Sequence, residues 1–238
     1  GSHPAVHGWD LGKIGTDNSI NGVPFEDVQR YIKEVYKQGG INTVAWHMDN
    51  LVSGGNSWDT THAVADILPG GKAHAAYIKK LDLAAAFLKD CRTNIFTPIP
   101  IIFRPYHEHN GDWFWWGKGY ASEEDFVELW KFTVHYLRDQ KKLHHLIYAF
   151  SPDRSRMDLS QGEAAYLYAY PGDEYTDILG LDDYWDMGFE GNTKSMAEQK
   201  VDLVNSLKLL DRLAKKKGKV AAITETGLDK LTTPDWYT

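Results

Sequence analysis

One cysteine, Cys91, stands among 238 residues, so no intrachain disulfide can brace this chain. Cys91 falls on a helical pattern and reads as a small core residue. The scarcity does not fix a compartment, because many exported bacterial enzymes carry no disulfide. No apolar run is long enough to cross a membrane, and no export signal is visible; Gly1-Ser2-His3 leaves open that one was removed earlier. Basic charge is not in excess. Lys and Arg number 26 against 33 Asp and Glu, giving a net charge of −7 and a pI near 5.8. That argues against nucleic acid or an anionic membrane as partner and fits a neutral polymer. There is also no Pro/Ser-rich linker, internal repeat or low-complexity segment, so residues 1–238 are expected to form one domain.

What the chain does have is a rhythm. Apolar strand-like runs occur at Ala5–Leu11, Asn42–His47, Pro98–Arg104, Leu146–Ser151, Ile178–Tyr184 and Lys219–Glu225. Helical patterns lie between them. Pro24–Gln38 sets Phe25, Val28, Ile32 and Val35 three or four apart and stops at Gly39-Gly40. Ala73–Lys89 follows a glycine pair. Glu123–Gln140 starts after Ser122 with acids in its first turn. Ser195–Lys217 closes on Lys215-Lys216-Lys217, a solvated basic helix end. Strand then helix, six times, predicts an α/β domain with a parallel sheet. Reactive polar residues recur at the strand ends: Asp10, His47, Glu108, Asp153, Tyr184 and Glu225. A doubly wound sheet gathers its site at one switch point. Contributions from every strand favour a (β/α)8 TIM barrel, whose strand ends ring one mouth. Six of its eight strands are found.

Aromatics are abundant, with 9 Trp and 13 Tyr. They crowd one segment, Arg104-Pro105-Tyr106-His107-Glu108-His109-Asn110-Gly111-Asp112-Trp113-Phe114-Trp115-Trp116-Gly117, just beyond the apolar run Ile99–Phe103. Flat rings are what a sugar face stacks on, and rings this dense are costly to expose. The second feature is Val220-Ala221-Ala222-Ile223-Thr224-Glu225-Thr226-Gly227, another strand ending in a lone Glu. Two strand-end glutamates suit glycoside hydrolysis, in which one carboxyl stays protonated as acid and the other is ionised to attack the sugar. Glu108, buried among Trp113 and its neighbours, is the expected acid/base; Glu225 is the expected nucleophile. Arg104 is expected to favour an ionised Glu225 by charge and hydrogen bonding. A metal reading of His107-Glu108-His109 fails, because the residue four after His107 is Gly111 where a helical zinc motif needs His. No metal and no cofactor are expected.

These segments resemble glycoside hydrolase family 26, chiefly endo-β-1,4-mannanases. The matching pieces are Pro4–Asp10, Trp46-His47-Met48-Asp49-Asn50, Arg104–Gly117, Ser151-Pro152-Asp153, Gly180-Leu181-Asp182-Asp183-Tyr184-Trp185 and Ile223–Gly227. The resemblance implies that Tyr184 orients the nucleophile and that His107 touches the sugar or Glu108. It makes His47 and Trp58 residues of the glycone side and Trp113 a platform beside the cleaved bond. Asp182 and Asp183 join them as expected substrate-binding residues, while Phe114, Trp115 and Trp116 are expected to pack.

The resemblance also identifies Pro4–Asp10 with the second barrel strand and Glu225 with the seventh. The first and eighth strands are then expected to be absent from this chain, and Thr232–Thr238 reads as the loop after strand seven. Two open parallel edges would result, so a partner segment supplying the missing strands is expected. The implied activity is retaining, endo-acting hydrolysis of mannan, galactomannan or glucomannan in an extracellular, cell-surface or periplasmic setting. The alternatives are an impaired carbohydrate-binding relative, or a family enzyme acting on β-1,3-xylan or mixed-linkage β-glucan.

Overall fold

The computed structural model describes residues 4–227; Thr232–Thr238, read above as a loop, lie outside the described residues. Strands β1 (Val6–Asp10), β2 (Ile41–Trp46), β3 (Ile101–Pro105), β4 (Leu146–Phe150), β5 (Ile178–Asp183) and β6 (Val220–Thr226) lie side by side in chain order. Every pairing is parallel. The sheet curls as an arc of the (β/α)-barrel architecture expected from the strand rhythm.

Parallel neighbours need crossovers, and helices supply most of them. They are α1 (Phe25–Lys37), α2 (Val64–Ile67), α3 (His74–Asp90), α4 (Glu123–Val134), α5 (Glu163–Tyr166) and α6 (Met196–Lys217). Local chemistry sets their ends. The Ser122 side chain accepts from the Asp125 N–H and opens α4 on three acids. Ser195 and Glu198 cap α6 reciprocally, and Gly218 closes it in the left-handed conformation. The expected helix Glu123–Gln140 is α4 continued by a wider-wound turn over His135–Gln140.

The strand–helix rhythm fails once. Between β4 and β5 the chain makes 3-10 turns at Arg154–Arg156, Leu159–Gln161 and Asp173–Tyr175, and the single turn of α5. Gly162 and Gly172 both sit at positive φ there, and Pro171 removes a donor, so a long helix cannot run through.

Buried side chains form one cluster from Leu11 through Trp46, Phe103 and Phe150 to Leu213, and Cys91 lies within it. β5 is buried along its whole length. By contrast β6 is open, with Val220 and Ile223 exposed, as is Val6 on β1. Among the described residues each of these outer strands has one hydrogen-bonded neighbour. No described helix is long and apolar enough to cross a membrane.

Candidate active site

The segment after β3 leaves the sheet in an unusual way. Tyr106 and Glu108 both adopt left-handed backbone conformations, at φ +50° and +55°, which non-glycine residues enter only when the surroundings hold them there. The aromatic loop does so. The Tyr106 hydroxyl is buried against Tyr77 at 2.7 Å. The indoles of Trp116 and Trp115 donate to the carbonyls of His107 and Met48, each at 2.9 Å. The Glu108 N–H donates to the Ser151 carbonyl at the end of β4 (2.8 Å). Trp115, Trp116 and Phe114 are buried, as expected of packing residues; together they form the scaffold that aims Glu108.

Glu108 faces a cleft of about 580 Å³ lined by Trp113, Asp153, Ser155, Arg156, Tyr184, Trp185 and Phe189. The Trp113 indole folds back and donates to Glu108 Oε2 at 2.8 Å. That fold needs Gly111, since a Cβ there would lie 2.5 Å from the Trp113 ring. Burial, then the charges of Asp182 and Glu225, push the Glu108 carboxyl up to about 9, against the pull of the Trp113 donor. Glu108 therefore carries its proton at neutral pH.

Glu225 reaches the same mouth through a flaw in the sheet. The β5–β6 register slips between Leu181 and Asp182, so that Leu181 pairs with Ile223 but Asp182 with Glu225. Consecutive strand residues normally face opposite ways. Here Thr224 and Glu225 both turn inward: the Thr224 hydroxyl donates to Asp182 Oδ1 at 2.7 Å, and Glu225 accepts from Arg104 Nη2. Such a bulge re-aims a side chain. Gly180 makes room for it, because a Cβ there would meet Thr224 at 2.6 Å and Ser151 at 2.9 Å. The Tyr184 hydroxyl donates to Glu225 Oε1 at 2.9 Å. Both carboxylate oxygens of Glu225 are thus held by donors, and Arg104 is itself fixed by Asp182 at 2.7 Å.

The other expected site residues divide. His47 hydrogen-bonds Asp10 Oδ2 through Nδ1 at 2.5 Å and stacks under Trp58, ring centres 5.2 Å apart. Trp58 is 50% exposed, an open ring beside the mouth. His107 is buried edge-on to His47 at 4.6 Å. Burial and then Arg104 hold it well below the usual imidazole range, so it is neutral. It makes no hydrogen bond to Glu108, and its Nδ1 has no partner. Asp182 and Asp183, expected to bind substrate, are both 0% exposed. Asp182 braces Arg104, and Asp183 accepts the N–H of Asp186 at 2.9 Å. His109, considered above as a ligand, packs against Phe126 and Phe150. Among the described residues no three His, Cys, Asp or Glu side chains converge as a metal site.

Sequence reading missed Ser155, Arg156, Trp185 and Phe189. Arg156 lies over the Trp113 ring at 5.2 Å, and Trp185 packs on Phe189. Trp185 directly follows Tyr184, which was the available signal; the others sit on loops with no pattern to mark them.

Comparison with known proteins places the chain in a family. The model of glycosyl hydrolase family 26 matches residues 1–233. A mannan endo-1,4-beta-mannosidase of Bifidobacterium adolescentis is 37% identical over 237 residues, covering 95% of this chain and 23% of that protein. The solved structure of a family 26 beta-mannanase from Bacteroides ovatus superposes with a TM-score of 0.86 at 36% identity, over 98% of this chain and 64% of the other. A modular endo-beta-1,4-mannanase of Cellulomonas fimi gives 0.84 at 38% identity, over 95% and 49%. The chain thus spans under two thirds of the length of each of these relatives.

Proposed function

The chain belongs to glycosyl hydrolase family 26, and from that membership we propose that it is a retaining endo-β-1,4-mannanase acting by double displacement. Glu225 attacks the anomeric carbon while Glu108 gives its proton to the departing glycosidic oxygen, leaving a covalent glycosyl–Glu225 ester and the shortened chain. Glu108, now ionised, takes a proton from a water that attacks the same carbon, and Glu225 leaves as carboxylate. Two inversions retain the configuration. Arg104 and Tyr184 orient the attacking oxygens, while Trp58 and Trp113 offer rings to sugars on either side of the cleaved bond.

The observation that carries this reading is the contrast between the two glutamates at one mouth. Glu108 is buried and kept neutral, whereas both oxygens of Glu225 accept from donors, one of them a guanidinium. That division of roles is what the reaction needs. Mannan is favoured over other β-glycans by the relatives' activity. Physically, a polar partner placed at the axial 2-hydroxyl of mannose would penalise the glucose epimer by leaving a buried group unpaired. The reading includes residues 1–238 as one catalytic unit and a setting outside the cytoplasm, where the polymer is. It also includes a further segment, from this or another polypeptide, pairing with the open edges of β1 and β6. The test is a side-by-side rate comparison on galactomannan, glucomannan, lichenan and β-1,3-xylan. The mannans should be fastest; faster hydrolysis of lichenan or xylan than of both mannans would overturn the substrate while leaving the glutamates in place.

A further inference from the structure

The cleft contains a carboxyl that the two-glutamate reaction leaves unused. Asp153, just past β4, lines the cleft beside Glu108 and is 6% exposed. Its backbone is tied to the Glu108 loop from both sides. The Asp153 N–H donates to Asn110 Oδ1, and Asn110 Nδ2 donates to the Asp153 carbonyl, each at 2.8 Å. With the Glu108–Ser151 bond, these contacts fix both carboxyls in one rigid frame. The Ser155 hydroxyl donates to Asp153 Oδ1 and sets the side chain. Among the described residues neither Glu108 nor Asp153 forms an ion pair: Arg104 is taken by Asp182 and Glu225, and Arg156 by Asp112.

We propose that Asp153 is a third working carboxylate of this site, whose negative charge, set beside Glu108 by Asn110 and Ser155, keeps Glu108 in the proton-bearing form that leaving-group protonation requires. The inference rests on the reading of Glu108 as acid. Two like charges in one buried cleft disfavour each other's ionisation. The groups facing Glu108 are Arg104 on β3, Asp182 on β5, Glu225 on β6, Asp153 after β4, and Arg156 and Tyr184 lining the same cleft, with Trp113 donating to it. Asp182 and Glu225 weigh more heavily than Asp153, but both are bonded to Arg104. Glu225 also loses its charge when it becomes an ester. Asp153 stays unchanged through both halves of the reaction. In the first it holds the proton on Glu108; in the second it makes the ionised Glu108 a stronger base toward water. Burial holds the Asp153 carboxyl above its ordinary value, while the Ser155 hydroxyl, the Ser155 and Arg156 backbone donors and the Arg156 charge pull it back toward the charged form.

The experiment is a carboxyl ¹³C NMR titration of Glu-labelled protein, with the Glu108 signal assigned by its loss in Glu108→Gln. In the wild type it should titrate near 9. In Asp153→Asn it should move down by about 0.5–1 unit, the size expected for removing one neighbouring like charge. The alkaline limb of kcat/KM on mannan should move with it. Ser155→Ala should shift it the same way by less, and it decides the matter if Asp153→Asn does not fold. An unmoved or raised Glu108 titration in the folded variants overturns the proposal. A Glu108→Ala enzyme that still cleaves mannan at the wild-type rate would instead sink the acid assignment itself, so the two failures are distinguishable.

Discussion

Replacing Arg104 by Met should separate what that residue does for the fold from what it does for the reaction. Its guanidinium is buried and pairs with Asp182 at 2.7 Å, a carboxylate with no exposure at all. Removing one partner of a buried pair costs about 3–5 kcal/mol, because the other charge is left uncompensated. Glu225 is partly open to water and adds little to that cost. For a domain of this size 1 kcal/mol corresponds to roughly 2–4 °C, so Tm should fall by about 6–20 °C. The deficit should shrink as pH falls. Burial already pushes the Asp182 carboxyl up to about 7 against the pull of Arg104; without Arg104 it rises further, so the variant loses more stability than the wild type as pH rises and regains it once the carboxyl is protonated. The double variant Arg104→Met/Asp182→Asn should recover much of the lost stability, since the amide carries no charge and Thr224 can still donate to its oxygen. Activity should not return, because Glu225 still lacks its Arg104 donor. Calorimetry and reducing-sugar release from mannan read the two effects separately. An unchanged Tm in Arg104→Met, or a double variant less stable than the single, would refute the reasoning.

Glu225→Ala should abolish turnover while leaving the fold and oligosaccharide binding intact, as read by circular dichroism and calorimetric titration. Glu108→Ala should slow mannan hydrolysis by about 10²–10⁴-fold but dinitrophenyl glycosides far less; equal losses on both would remove Glu108 from its role as acid. Glu108→Gln should raise Tm at neutral pH. A carboxyl whose folded value is pushed up to about 9 costs stability increasingly as pH rises from its unfolded value toward 9, and an amide does not titrate; a Tm difference independent of pH between 5 and 8 would contradict this. Early-time proton NMR should show the β-anomer as first product from mannan, and an initial α-product would exclude Glu225 as nucleophile.

The strand ends were legible because burial and chemistry use different residues. An apolar run that ends shortly before Glu108 or Glu225 marks both the strand and a candidate for its working tip, and Tyr184 and Asp10 follow the same pattern. The features that aim those tips left no such trace. Ile223-Thr224-Glu225 alternates as regularly as any strand, and only pairing with β5 reveals the slip at Leu181/Asp182 that turns Glu225 inward. Tyr106 and Glu108 are not residues that announce a left-handed backbone, so their conformation follows from the surrounding rings and not from their own preferences. Asp182 and Asp183 stand next to Tyr184 and were expected in the cleft with it. Alternation along β5, together with Arg104 some 78 residues away in sequence, draws Asp182 beneath the site. Local pattern thus identifies which residues arrive at the mouth of the barrel. Which of them faces the cleft, and which holds another residue toward it, depends on partners distant in sequence: Arg104 for Asp182, Ser151 for Glu108 and Asn110 for Asp153. The same division explains why the unused carboxyl at Asp153 becomes visible only in three dimensions. Ser-Pro-Asp is a weak motif along the chain, and its significance lies in the cleft it shares with Glu108.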